Sequence, residues 1–189
     1  MSNTAMSIYF APRDFNTQEQ VSGRTVANDS LLKALIRYGN CSKLFLYMEQ
    51  AKFFEDFLQN YAHLASLKNC HPIIHGDIPS LQQVGLYMHT DPLISKMSWA
   101  RSFISPASFS ICSIIHAVSG MNMAEEIAKL ILAPVRSWDA IICTSAAAKR
   151  VVDNLYAQWF DYLKVHYKAL PTCDLQLPII PLGVNPEEI

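Results

Sequence analysis

The letters WDAIICTS occupy residues 138–145, AAAKRVVDNLYAQWFDYL follows at 146–163, and LPIIPLGVN lies at 177–185. The first apolar run predicts a strand over Asp139–Cys143. A serine before a long run of helix formers predicts a capped helix over Ser145–Tyr167. The second apolar run predicts a strand over Leu177–Pro181. This order of strand, helix and strand is typical of an α/β fold with a parallel sheet.

The same alternation of strand-like and helix-like segments continues towards the N-terminus. The other predicted strands are Ser7–Ala11, Lys43–Met48, Cys70–Ile74 (weakened by Pro72), Gly85–His89 and Phe109–Ile115. The other predicted helices are Arg24–Tyr38, Glu49–Leu67, Leu93–Ile104 and Met121–Leu132, with a polar loop from Pro12 to Ser22. The unbroken apolar run FSICSII predicts a central strand that is buried on both faces. We therefore predict a doubly wound α/β fold with a mainly parallel sheet of about seven strands.

The amino-acid composition argues against several classes of protein, among them disordered, nucleic-acid-binding and membrane-spanning proteins. Of 189 residues 51% are hydrophobic, which argues against disorder. Fifteen basic residues against 16 acidic ones leave no excess charge for nucleic-acid binding. No apolar run is long enough to span a membrane, and the N-terminus lacks the basic and apolar regions of a signal peptide. The five cysteines include no CxxC pair, so we expect reduced thiols in a cytoplasmic protein, with peripheral membrane association left open.

Polar residues that follow predicted strands are the candidate site residues, because ligands of parallel sheets bind beyond the carboxyl ends of the strands. Gly23 and Arg24 come after the first strand, at the start of a helix whose free N–H groups suit a phosphate. The alternative is that Ser22 and Gly23 only cap that helix. Neither a GxGxxG nor a Walker A motif is present, so an independent dinucleotide or triphosphate site is disfavoured.

A second group of candidates contains histidines and carboxylates: His71, His75, Asp77, His89 and Asp91. Their density suggests a metal site, but Pro72 and Gly76 break the helix that an HxxxH pair would need. No cysteine is placed to complete a zinc set. We therefore expect no bound metal and read these residues as two polar loops at strand ends.

His116 follows the FSICSII strand directly. A histidine beside an apolar run is often a packed, hydrogen-bonded residue, and that alternative stays open. At the carboxyl end of a central strand its ring can also bind a ligand hydroxyl. Ser145, by contrast, lacks the GxSxG elbow of an α/β hydrolase and reads as a helix cap.

The end of the chain resembles the close of the first domain in group 1 (family 4 type) glycosyltransferases of the GT-B fold. There a short strand leads into a Ser-capped helix, and a later strand ends in a PLGVN-like run. Residues 23–35, GRTVANDSLLKAL, are similar to that family's first helix. HTDP at 89–92 with Trp99 and Arg101 resembles its H-x-D/P…W-x-R run, and His116 to Ser119 resembles its H-x-x-S segment. The likeness covers most of the chain and is thin over residues 49–69.

The resemblance implies that residues 1–189 are the N-terminal, acceptor-side Rossmann-like domain of a two-domain enzyme whose C-terminal donor domain is absent from this chain. The implied activity is transfer of a sugar from a nucleotide-sugar donor to an acceptor hydroxyl, with retention and without a metal or other cofactor. The implied roles are a donor phosphate loop at Gly23 and Arg24, an acceptor side at His75, Asp77, His89 and Asp91, and a catalytic donor-sugar contact at His116.

The alternative to half an enzyme is a stand-alone Rossmann-like module that binds a small molecule or regulates a partner. A reading frame that continues past Ile189 into a second α/β domain would favour the transferase. A reading frame that ends there would favour the module. In either case we expect no nucleic-acid partner and no transmembrane segment.

Overall fold

The computed structural model describes residues 5–17, 22–64, 67–117 and 121–183. Its strands are β1 Ala5–Tyr9, β2 Lys43–Met48, β3 Cys70–Ile74, β4 Leu86–His89, β5 Ser110–Ile115 and β6 Ala140–Cys143. Its α-helices are α1 Pro12–Phe15, α2 Gly23–Tyr38, α3 Lys52–Asn60, α4 Ile78–Val84, α5 Ser95–Ser102, α6 Met121–Leu132 and α7 Ala146–Tyr167, with a 3₁₀ turn at Leu67–Asn69. The predicted α/β class is confirmed.

The six strands form one parallel sheet in the order β3-β2-β1-β4-β5-β6. Successive strands are added in one direction from β1 to β3 and in the other direction from β4 to β6. The order therefore reverses between β1 and β4, where Ile8 lies opposite Met88. This is the strand order of Rossmann-like doubly wound sheets.

The prediction of a seventh strand over Leu177–Pro181 is wrong, because this segment does not form a regular strand. The segment lies alongside β6 and makes only isolated bridges, Gln176 with Ala140 and Ile179 with Cys143. Four backbone hydrogen bonds join it to the β6 region. Pro178 and Pro181 have no N–H to donate, so the ladder cannot continue.

Two short helices were not predicted. Part of the expected polar loop forms α1, which begins at Pro12 and places the Phe15 ring against Phe10 at a centroid distance of 5.0 Å. Helix α4 begins after Asp77, whose side chain accepts from Ser80, and ends at Gly85 with a φ of 81°. The predicted Glu49–Leu67 helix is shorter in the structure, Lys52–Asn60, because the chain turns at Tyr61.

The chain divides into two compact units, which contain residues up to Met88 together with Leu182 and Gly183, and His89–Pro181. In the first unit, α3 packs against β2, and α1 packs against α2 and α3, with the Phe10 and Phe57 rings 5.6 Å apart. One face of its strands carries tyrosines, and the rings of Tyr47 and Tyr87 meet edge to face at 5.4 Å.

The second unit contains a buried ion pair. Arg101 on α5 donates to both carboxylate oxygens of Asp139 at 2.6 Å, and both side chains are fully buried. The guanidinium also donates to the carbonyls of Phe109 and Pro134. The carboxylate accepts from the backbone N–H groups of Ile111 and Arg136. One pair of side chains thus joins α5 to the loops that lead into β5 and β6.

We predict that Asp139→Asn lowers the free energy of unfolding by about 3–5 kcal/mol, because it leaves the Arg101 charge buried without its counter-charge. Urea unfolding followed by circular dichroism measures this. The matched control is Asp153→Asn, which removes the exposed Lys149–Asp153 pair of α7 and should change stability by less than about 0.5 kcal/mol. Equal losses of unfolding free energy in the two variants would show that the buried pair of Asp139 stabilises the protein no more than the exposed pair of Asp153.

Candidate functional site

The carboxyl ends of the parallel strands hold most of the polar residues that the sequence singles out. In doubly wound sheets this edge binds ligands, because the chain leaves each strand there and loops and helix N-termini gather. Strands β1 to β3 bring one group of such residues to this edge in the first unit. The ends of β4, β5 and β6 bring another group, which begins at His89 and lies in the second unit.

The start of α2 is capped by protein groups. Ser22 accepts from the Thr25 N–H, and the Thr25 side chain accepts from the Ser22 N–H. Gly23 lies in open space, since a Cβ there would meet no atom within 4 Å. Arg24 donates to Asp14 at 3.0 Å. The alternative interpretation, in which these residues cap the helix, therefore describes a cap that is present in the structure. Arg24 is already paired with the Asp14 carboxylate. The role of Gly23 and Arg24 in phosphate binding stays a prediction.

A tyrosine–glutamate pair joins the ends of β1 and β2. The Tyr9 hydroxyl donates to Glu49 at 3.2 Å. Burial, followed by the Glu49 carboxylate, raises the pKa of Tyr9 to about 12. Sequence reasoning missed this pair, because it depends on a parallel register that places Tyr9 opposite Tyr47. Glu49 is the residue directly after β2, so the pair lies at the carboxyl edge of the sheet.

A second tyrosine reaches the predicted acceptor residue His75. The Tyr47 hydroxyl accepts from the Gly76 N–H at 3.1 Å and lies 3.4 Å from Nδ1 of His75. Burial raises the pKa of Tyr47. Asp77 caps α4: its carboxylate accepts from the backbone N–H and the hydroxyl of Ser80 at the start of that helix. The exposed His75 ring is thus the group of this predicted pair that is placed for ligand contact.

The end of β4 carries a histidine in a defined form. His89 is buried, and its Nδ1 accepts from the Asp91 N–H at 2.9 Å. A neutral ring in this geometry holds its proton on Nε2. The next residue, Thr90, is fully buried, and its hydroxyl has no hydrogen-bond partner among the described residues. Such groups are rare in proteins, and an ordered water, an ion or a catalytic role usually accounts for them.

The ends of β5 and β6 are joined by one side chain. The Thr144 hydroxyl donates to the Ile115 carbonyl at 3.1 Å, directly before His116. His116 is half-buried and follows β5 immediately, as predicted. Ser145 accepts from the Ala148 N–H and caps α7, which agrees with the reading of this serine as a cap. Ser119, Val184 and Asn185, which contribute to the family resemblance, lie outside the described residues.

The predicted metal-ligand candidates do not gather into one cluster. Across residues 5–17, 22–64, 67–117 and 121–183, no group of three or more His, Cys, Asp or Glu side chains is arranged to hold an ion. His71 instead packs its ring 5.5 Å from Phe45. Arg101, which the sequence places in the W-x-R run, belongs to the buried pair with Asp139 and not to this edge.

Comparison with protein-family models, with curated proteins and with solved structures found no match to the chain. Within the described part of the chain, no helix is both long enough and apolar enough to cross a bilayer. Imidazoles, a phenol and carboxylates are groups that bind hydroxyls and place protons.

We predict that Glu49→Gln lowers the pKa of Tyr9 below about 12, because the substitution removes a negative charge that opposes phenolate formation. The pKa of Tyr9 should still stay above the ordinary tyrosine value, because burial of the phenol continues to raise it. Ultraviolet titration of the tyrosines measures it, with Tyr9→Phe to assign the signal and Glu55→Gln on α3 as the control.

The same shift predicts a pH dependence of stability. A phenol with a raised pKa in the folded state contributes stability that is complete below its unfolded pKa near 10 and is lost as the pH rises towards about 12. Tyr9→Phe should therefore flatten the fall in melting temperature between these two values. An unchanged alkaline profile in Tyr9→Phe would contradict the assignment.

Proposed function

We propose that the chain is the N-terminal, acceptor-side half of a GT-B glycosyltransferase. The enzyme would transfer a sugar from a nucleotide-sugar donor to an acceptor hydroxyl, with retention. The observation that carries the proposal is that His89 ends β4 and His116 follows β5 in a doubly wound sheet, with the buried Thr90 hydroxyl next in sequence to His89. These groups suit a ligand rich in hydroxyls.

His116 is the proposed contact to the donor sugar. A neutral imidazole at the end of β5 can accept from or donate to a sugar hydroxyl and so orient the reacting carbon. The contact contributes to turnover to the extent that it is stronger in the transition state than in the ground state. The family's phosphate-binding basic groups and paired glutamates belong to a C-terminal domain, so this half does not complete the donor site.

The proposed acceptor side includes His75, His89 and Asp91. His75 is exposed beside the Tyr47 hydroxyl, and His89 presents a defined tautomer through its bond from Asp91. The bond from the Asp91 N–H orients the buried His89 imidazole, which lowers the entropy lost when a hydroxyl binds. Asp77 is a weaker candidate for acceptor binding, because both of its carboxylate oxygens accept hydrogen bonds from Ser80.

The second candidate function is a stand-alone module that binds a small molecule. The observation that favours it is the Asp14–Arg24 pair, which already neutralises the cation that a donor phosphate would use. A phosphate would have to compete with Asp14 for this guanidinium. A neutral ligand would not compete with Asp14 for Arg24. The Ser22–Thr25 cap already satisfies N–H groups at the start of α2 that an anion could otherwise bind.

We predict that His116→Ala lowers kcat by about a hundredfold or more in the two-domain protein, with little change in melting temperature. The physical reason is the loss of a contact to the reacting sugar. The control is His63→Ala, an exposed residue just after α3, which should leave kcat unchanged. A lower melting temperature with unchanged turnover per folded molecule would instead make His116 a packing residue and remove it from the proposed site.

A further inference from the structure

Three neighbouring strands of the first unit bring polar side chains to one face at their carboxyl ends. Side chains alternate between the two faces of a strand, so Glu49 continues the face of Tyr47. The register places Tyr9 of β1 opposite Tyr47, and the hydrogen bond from Tyr9 to Glu49 confirms that the three share a face. The register also places Ile73 of β3 opposite Tyr47, and His75 lies two residues further on. Tyr9, Glu49 and His75 therefore form a row across the ends of β1, β2 and β3.

The carboxylate and the imidazole of this row are neighbours. Met48 lies opposite Ile74, and the His75 N–H donates to the Met48 carbonyl at 2.7 Å, so the ladder continues to the ends of both strands. Glu49 and His75 are the next residues of the two strands, and adjacent strands lie about 4.8 Å apart. Both side chains are exposed and start within reach of one small ligand. We call Glu49 and His75 the edge pair.

Each member of the edge pair contacts a tyrosine hydroxyl through one polar atom and presents another. Oε1 of Glu49 accepts from the Tyr9 hydroxyl at 3.2 Å, whereas Oε2 has no hydrogen-bond partner in the part of the chain that the structure describes. Nδ1 of His75 lies 3.4 Å from the Tyr47 hydroxyl, whose oxygen already accepts from the Gly76 N–H. A neutral ring that accepts from Tyr47 through Nδ1 holds its proton on Nε2. The edge pair thus presents an acceptor beside a donor.

The cations of this edge have other partners. Arg24 and Arg13 both contact Asp14, at 3.0 and 3.9 Å. The Lys52 ammonium lies over the Phe53 ring, 5.8 Å from its centroid. Among the described residues, no cation forms an ion pair with the carboxylate of the edge pair. That carboxylate therefore repels a phosphate and accepts from a hydroxyl.

We propose that the edge pair binds two adjacent hydroxyls of a neutral sugar. One hydroxyl donates to Oε2 of Glu49, and its neighbour accepts from Nε2 of His75. The first bond is charge-assisted and therefore about twice as strong as a neutral one. A phosphate in place of that hydroxyl lacks the proton and brings a charge of the same sign. The inference rests on the proposed function in one respect, because it makes a neutral sugar, and not a phosphorylated one, the acceptor of the transferase.

Two other ligand classes fit the edge pair less well. A metal ion would have two protein ligands, since the described residues offer no third His, Cys, Asp or Glu side chain in a suitable arrangement. Asp77, the carboxylate that follows His75 in the chain, uses both of its oxygens on Ser80. An ammonium group would bind the carboxylate but would face the Nε2 proton of His75. Adjacent hydroxyls suit both groups, because each hydroxyl can donate and accept.

The test is a proton NMR titration of the 189-residue chain with methyl α-glucoside, methyl α-mannoside and myo-inositol, each compared with glucose phosphate at equal ionic strength. We expect a neutral sugar to shift the His75 ring signals with a Kd on the order of 1 mM, since the site is open and offers few bonds. His75→Ala assigns those signals. Glu49→Gln should raise the Kd about tenfold, because the bond loses its charge. The matched control is Glu125→Gln, an exposed glutamate of α6 in the second unit, which should bind normally.

Three results would overturn the proposal. The first is no shift of the His75 signals by any neutral sugar at about a hundred times the expected Kd. The second is a glucose phosphate that binds as tightly as the best neutral sugar. The third is an equal loss of binding in Glu49→Gln and Glu125→Gln. Both substituted side chains are exposed, so circular dichroism should show an unchanged fold in each variant.

The outcome is separate from that of the proposed function. Sugar binding by the edge pair without transfer by the longer protein would overturn the transferase and leave this site in place. Transfer to a phosphorylated acceptor, with no neutral sugar bound, would leave the transferase in place and overturn this site.

Discussion

The second unit depends on the buried carboxylate of Asp139. It lies just before β6 and is reached by the Arg101 guanidinium and by the N–H groups of Ile111 and Arg136. A charge this deep is tolerated only when its counter-charge and hydrogen bonds are complete. Each bond fixes a separate segment, so the amino ends of β5 and β6 and the end of α5 keep one arrangement. The orientation of β5, and with it the position of His116 at its far end, follows from that arrangement.

Stability and candidate chemistry therefore lie at opposite edges of the parallel sheet. At the amino edge, both Nη atoms of Arg101 donate to Asp139 and to backbone carbonyls, while its Nε has no hydrogen-bond partner among the described residues. At the carboxyl edge of the first unit, the Tyr9 phenol donates to Glu49. In the second unit, Nδ1 of His89 accepts from the Asp91 N–H, and the Thr90 hydroxyl has no hydrogen-bond partner among the described residues.

The sequence predicted those parts of the fold that local pattern decides. Lys43–Met48, Cys70–Ile74 and Met121–Leu132 agree with the structure at both ends, since apolar runs and helical periods are local signals. The prediction of a strand over Leu177–Pro181 was wrong because Pro178 lacks an N–H. Helix α4 was missed because seven residues are too short for a clear helical period. The Tyr9–Glu49 and Tyr47–His75 pairs were beyond prediction, since they join strands that are distant in sequence and depend on register. Arg101 was read as part of a family motif, whereas its partner lies 38 positions away.

The central claim is that this chain supplies the acceptor side of a transferase and needs a second α/β domain for the donor. The most direct measurement is product formation from a panel of nucleotide sugars and simple acceptors, made in parallel with the 189-residue chain and with the protein encoded by its complete reading frame. The account predicts transfer by the longer protein and none by the 189-residue chain, although that chain folds. Transfer at an ordinary enzymatic rate by the 189-residue chain alone, or a reading frame without a second α/β domain, would contradict it.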